Sequence, residues 1–135
     1  MQYPNRAARN RQVMALCVAS LLLALVATTA AQAAEVRLLV QRSPLAGFRY
    51  YEAPVLFELL RPGETLTLVR EPQNPHDPNA VRVDWRGHKL GYVPRRQNAA
   101  LAWALDGGQP VEARIAERRR HPNPRRRVEL EVFLR

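Results

Sequence analysis

From residue 35 onward the chain is written mostly in a two-residue rhythm of apolar and polar positions. Glu35-Val36-Arg37-Leu38-Leu39-Val40-Gln41-Arg42 reads as a first strand, and Ser43-Pro44-Leu45-Ala46-Gly47 breaks it. Phe48-Arg49-Tyr50-Tyr51 resumes an extended pattern, with Phe48 and Tyr50 expected on one face and Arg49 and Tyr51 on the other. Ala53 to Leu60 is a short apolar segment, long enough for a single helical turn. In Arg61-Pro62-Gly63-Glu64 the proline stands where a turn needs a fixed φ. Thr65-Leu66-Thr67-Leu68-Val69-Arg70 alternates in polarity and is rich in β-branched residues, so it predicts a strand. Ala80-Val81-Arg82-Val83-Asp84-Trp85, the turn Arg86-Gly87, and Lys89-Leu90-Gly91-Tyr92-Val93 predict a hairpin.

The period changes at Pro94. Good helix formers run from there to Leu105, Leu101 and Leu105 are spaced to bury together, and Asp106-Gly107-Gly108 ends the helix. Val111 to Glu117 and Val128 to Leu134 alternate again, around a basic tip at 118–127. Trp85 and Trp103 are expected in the core. Six strands and one short helix within residues 34–135 predict a mainly β protein with a small closed sheet. Closure matters because it removes the exposed edges that invite pairing with other chains.

Residues 1–33 follow different rules. Arg6, Arg9 and Arg11 stand in a stretch without acids, Val13 to about Val26 is almost wholly apolar, and Ala31-Gln32-Ala33 is a small-x-small pattern. This is the layout of a helical secretory signal segment, with cleavage expected after Ala33. The alternative is an uncleaved N-terminal anchor, because Val13 to Ala31 approaches the roughly 18 to 20 residues that span a bilayer. Positive residues stay on the cytoplasmic side, so both readings export residues 34–135. The first makes them periplasmic or secreted. The second tethers them to the inner membrane facing the periplasm, and contact with a membrane is expected only through this segment. Cys17, the single cysteine, lies inside the apolar run behind Leu16, which argues against lipidation. Residues 34–135 therefore hold no disulfide and no thiolate metal site.

Charge narrows the partner. Three of the 21 Lys and Arg and none of the 12 acids precede residue 34, leaving 18 cations against 12 acids, a net +6. A basic domain of this size suits a polyanion, such as nucleic acid, anionic lipid or a phosphorylated envelope polymer. The arginines at 118–120 and 125–127 flank a Pro-Asn-Pro turn and form a basic hairpin, which Lys89, Arg95 and Arg96 are placed to extend. Before it in the chain, Pro72, Pro75 and Pro78 alternate with Asn74, Asp77 and Asn79. Prolines fix φ while Asn and Asp fold back onto backbone amides, so the loop is expected to be stiff and polar. Single strands are held by aromatic faces and backbone cations, and Arg49, Tyr50 and Tyr51 offer both next to such a loop.

Four blocks stand in the order seen in HIRAN domains: Gly47-Phe48-Arg49-Tyr50-Tyr51, Leu68-Val69-Arg70-Glu71-Pro72, Asn74-Pro75-His76-Asp77-Pro78-Asn79-Ala80-Val81 and Leu90-Gly91-Tyr92-Val93-Pro94. The chain resembles that family over residues 36–115, with the basic hairpin at 116–135 beyond. The family is best known as a DNA-end-binding module of repair helicases. The resemblance implies a compact β-barrel related to the OB-fold. It also implies a site in which Arg49 binds phosphate, Tyr50 stacks and Asp77, with Asn74 nearby, accepts the terminal 3′ hydroxyl. Tyr51, His76, Asn79, Tyr92 and Arg95 complete the candidate nucleic-acid-binding set. Arg118, Arg119, Arg120, Arg125, Arg126 and Arg127 form a secondary patch. His76 replaces the loop tyrosine of the best-studied eukaryotic member, and Tyr92 replaces its histidine.

Competing readings are a solvated Arg49 beside a core tyrosine, and a proline-rich loop with a purely structural part. Catalysis is not expected. His76-Asp77 superficially resembles the His-Asp pair of metal-dependent phosphohydrolases, but the histidines at 76, 88 and 121 lack the spacing of converging ligands. No phosphate-binding Walker sequence occurs, and no cofactor or metal is expected. The sequence thus predicts an exported module for single-stranded DNA ends. The alternative is a periplasmic interaction module for a phosphorylated envelope polymer or a protein, with no nucleic-acid role.

Overall fold

The computed structural model describes residues 36–135; the signal-segment reading of 1–33 lies outside them. Six strands form one antiparallel sheet: β1 (Leu38–Pro44), β2 (Thr65–Arg70), β3 (Val81–Trp85), β4 (His88–Tyr92), β5 (Val111–Arg118) and β6 (Val128–Leu134). Their order is β1-β6-β5-β2-β3-β4. The two ends of that order meet just beyond β1, where the Ala46 N–H donates to the Tyr92 carbonyl at 2.8 Å and the Tyr92 N–H to the Ala46 carbonyl at 2.9 Å. This reciprocal pair joins the first and last strands of the sheet into a barrel.

Gly91 permits the join. A β-carbon on it would sit 2.2 Å from the Ala46 carbonyl oxygen, closer than any side chain tolerates. Elsewhere turns follow the expected chemistry. Arg86 and Gly87 both adopt positive φ (48° and 83°), the two-residue hairpin geometry that matches strand twist. Gly63 at φ 88° follows Pro62 in the turn before β2.

Alternation fills the barrel. Leu66, Val81, Val83, Leu90, Ile115, Leu130 and Val132 point inward with Leu45, Phe48, Leu60 and Trp85. Two short helices cover the core: α1 (Ala53–Leu56), a single turn, and α2 (Ala99–Asp106). The expectation of one helix thus becomes two, with 3₁₀ turns at Arg95–Gln97 and Pro124–Arg126. The first strand begins at Leu38 rather than Glu35. The helix expected from Pro94 opens as the 3₁₀ turn and becomes α-helical only after Asn98.

Two expectations are corrected. Phe48-Arg49-Tyr50-Tyr51 is a turn, closed by the Tyr50 N–H donating to the Gly47 carbonyl at 2.9 Å. A turn has no two-residue alternation, so Phe48 is buried while Tyr50 is 81% exposed. Trp103 is not in the core either. Leu101 and Ala102 fill the buried side of α2, and Trp103 falls on the opposite side at 76% exposure, whereas Trp85 is 4% exposed as expected.

Candidate nucleic-acid interface

The Glu71 carboxylate, one residue past β2, gathers three donors. The Tyr92 hydroxyl donates to Oε2 at 2.8 Å, Asn74 Nδ2 to the same oxygen at 3.0 Å, and Arg82 Nη1 to Oε1 at 3.1 Å. Arg82 turns its other nitrogens to Asp84, with Nε donating to Oδ1 at 2.9 Å and Nη2 to Oδ2 at 3.0 Å. Lys89 Nζ donates to the Tyr92 hydroxyl at 2.7 Å. The same ammonium lies 4.1 Å from the centre of the Tyr51 ring and 4.6 Å from that of Tyr92, and the two rings meet edge-on at 5.6 Å.

Strand alternation alone would put Lys89 and Tyr92, three residues apart, on opposite faces. A β-bulge cancels that difference. Val83 pairs with Gly91 but Asp84 pairs with Lys89, so Leu90 is the extra residue on β4. Leu90 and Val93 therefore both point inward while Lys89 and Tyr92 share the outer face.

Burial works to raise the Glu71 pKa, but the hydrogen bonds from Asn74, Tyr92 and Arg82 and the Lys89 charge prevail and hold it below the usual carboxylate range. Burial, and the bond it donates to Glu71, push the Tyr92 phenol upward. The Arg82 pKa is raised chiefly by its bond to Asp84. At neutral pH Tyr92 is thus a neutral donor to an ionised Glu71.

The proline-rich loop is held by its own side chains. Asn74 Oδ1 accepts from the His76 N–H and Asp77 Oδ1 from the Asn79 N–H, each at 2.9 Å, making two successive Asx turns. Asp77 Oδ2 accepts from Nδ2 of Asn98 at 2.7 Å, and Asn98 is 2% exposed. From the other side Arg70 donates to the Pro78 and Ala80 carbonyls and to both oxygens of Asp106. That last contact holds the Asp106 pKa low. The rings of His76 and the side chain of Asn79 remain exposed.

The predicted site residues thus fall into groups. Tyr51, Asn74 and Tyr92 come together through Glu71 and Lys89. Arg49 and Tyr50 instead line an open cleft of ≈ 280 Å³ with Asn123, Pro124 and Arg125 of the basic hairpin. Asp77 is bound to the start of α2, and Arg95 is exposed on the 3₁₀ turn before it. Sequence reasoning missed Glu71, Arg82 and Asn98 and gave Lys89 only a marginal place. The one signal for the bulge was the three-residue spacing of apolar Leu90 and Val93.

The six hairpin arginines are not equivalent. Arg118 Nη1 donates to Glu58 Oε2 at 3.1 Å and Arg120 Nη2 to Oε1 at 2.8 Å, and these bonds hold the Glu58 pKa low. Arg119 pairs with Glu117. Arg127 Nε donates to the His121 carbonyl at 2.7 Å and its guanidinium lies 5.4 Å from the Phe48 ring centre. Arg125 and Arg126 are exposed and pair with no acid among the described residues, and neither does Arg49. No group of three potential metal ligands occurs among the described residues, and none of their helices is long and apolar enough to cross a membrane.

A small antiparallel barrel with a stiff polar loop beside exposed tyrosines defines the class of fold and site. Residues 38–135 match the HIRAN domain, and the chain belongs to that family. Among relatives it is 38% identical over 66 residues to the helicase-like transcription factor of Oryctolagus cuniculus, covering 48% of this chain and 6% of that protein. It is 39% identical over 66 residues to the Fanconi-associated nuclease 1 homolog of Oryza sativa subsp. japonica, covering 46% and 6%. The chain thus corresponds to a small part of these much longer proteins. In structure it resembles a protein from Lactobacillus plantarum, with TM-score 0.62, 28% identity and coverage of 73% of this chain and 95% of that one. It also shares the fold of the HIRAN domain of human HLTF, with TM-score 0.57, 23% identity and coverage of 73% and 78%.

Proposed function

We propose that residues 34–135 form a non-enzymatic module that binds single-stranded nucleic acid, with preference for a free 3′ end. Membership of the HIRAN family supports nucleic-acid binding. The observation that carries the finer reading is the turn at Arg49-Tyr50. It offers a tyrosine 81% exposed to solvent, beside two arginines, Arg49 and Arg125, that no described acid neutralises. An open ring face stacks on a base, and unpaired guanidiniums take backbone phosphates. Tyr51 and Tyr92, with Lys89 above them, provide a second aromatic surface next to the loop. Asp77 is assigned the terminal-hydroxyl acceptor role that the family resemblance implies, and each of its carboxylate oxygens can accept a further bond beyond the one it makes here. Export belongs to the same proposal, supported by the layout of residues 1–33, and a mature chain beginning at Ala34 in the periplasm or medium tests it.

The binding test is fluorescence anisotropy with otherwise identical oligonucleotides ending in a 3′ hydroxyl or a 3′ phosphate, and with dextran sulfate as competitor. Tighter binding of the free hydroxyl, lost in Arg49→Ala, is expected. Equal affinity for both ends, with full competition by dextran sulfate, removes end recognition and favours the phosphorylated-polymer alternative.

A further inference from the structure

Trp103 stands out because the chain had every chance to bury it. Its helix, α2, turns Leu101 and Ala102 inward and leaves Ala99, Ala100 and Trp103 in solvent. A helical side chain covers the turn N-terminal to its own Cα. For Trp103 that turn holds Ala99 and Ala100, whose methyl groups are too small to screen an indole face. On the 3₁₀ turn that leads into the helix, Arg95 and Arg96 are exposed and pair with no acid among the described residues. No acid occurs from Tyr92 to Leu105, and Asp106 is occupied by Arg70.

The platform is also fixed in place. The Asn98–Asp77 bond anchors the start of the helix to the proline-rich loop, and the Arg70–Asp106 pair anchors its end to β2. We infer that Trp103 is a further stacking platform, holding one base of a single strand whose phosphates run over Arg95 and Arg96. This extends the nucleic-acid reading above and rests on it. The apolar face of a protein would also cover an indole, but two unneutralised guanidiniums on the turn that leads into its helix complement a polyphosphate.

Trp85 is buried, so Trp103 is the tryptophan whose emission a bound strand reaches. The full-length protein is titrated with dT12 while anisotropy of the labelled strand and tryptophan emission are read together. Binding should quench the emission and shield it from acrylamide. Trp103→Ala should weaken dT12 binding roughly five- to tenfold while Trp103→Phe retains most of it, as loss of one stacked base requires. Arg95→Ala/Arg96→Ala should flatten the salt dependence. If dT12 binds by anisotropy but Trp103 stays open to acrylamide and Trp103→Ala binds like the parent, the platform is wrong while the nucleic-acid reading stands. If dT12 does not bind at all, both fall.

Discussion

Lys89 Nζ donates to the Tyr92 hydroxyl at 2.7 Å although the two residues stand three apart on one strand. The Leu90 bulge makes that contact, and the ammonium it positions also sits over Tyr51. Lys89→Met keeps the aliphatic stem but loses both interactions. It is expected to cost about 1 to 2 kcal/mol in urea unfolding, the sum of one hydrogen bond and a half-exposed cation–π contact. An unchanged unfolding midpoint would show that the cluster contributes nothing to stability.

The Glu71 cluster makes a pH prediction. Its carboxyl pKa is lower folded than unfolded. Its stabilisation is therefore complete above the unfolded glutamate value of about 4.3 and disappears as pH falls through the lower folded value. Glu71→Gln should be less stable than the parent by about 1 kcal/mol at pH 7, and the gap should begin to narrow only as pH falls below about 4.3. A gap that keeps its full size all the way down to acid unfolding would mean that shape rather than charge holds the loop to Tyr92.

Gly91→Ala should be the most damaging single-methyl change in the barrel. The new carbon meets backbone, not a movable side-chain tip. Ala46 and Tyr92 must then separate, and a loss of roughly 2 to 3 kcal/mol is expected in thermal or denaturant melts. Near-neutral behaviour would mean that closure is dispensable.

The hairpin arginines should divide in salt titrations of oligonucleotide binding. Arg125→Ala and Arg126→Ala should each reduce the log–log slope by about 0.7, the value for one released counterion on a single strand. Arg118→Ala and Arg120→Ala should change it less, because Glu58 already occupies both guanidiniums. Glu58→Gln should in turn steepen the slope by freeing them. Equal effects at all four arginines would erase the distinction drawn from the ion pairs.

Asp77→Ala needs a stability control that Arg49→Ala does not. Removing the carboxylate strands the buried Asn98 amide, at a cost of about 1 to 3 kcal/mol, and releases the Asn79 turn. Loss of binding in Asp77→Ala should therefore accompany a lower melting temperature. Arg49→Ala should lose binding with the melting curve unchanged.

The strands were legible because inside and outside alternate through Thr65–Thr67, Val81–Val83 and Val128–Val132, and one buried face rewards that pattern. The turn at 47–50 was not, since Phe48 and Tyr50 have the right spacing for a strand and only the Gly47 hydrogen bond removes it. Trp103 was misplaced for a related reason: an indole is apolar by composition, but Leu101 and Ala102 already satisfied the buried side of its helix. Within the site, the tyrosines and the Asx loop could be read directly. Glu71 could not, because its importance comes from partners 3, 11 and 21 residues away that only the folded sheet assembles.

Tyr92 holds two offices at once. Its amide and carbonyl are the last stitches of the seam, and its phenol is a spoke of the outer cluster. There is consequently no slack between fastening the wall and aiming that ring. Solvent exchange at the Ala46 and Tyr92 amides reports on both together, and a loosened stitch swings the spoke out of true.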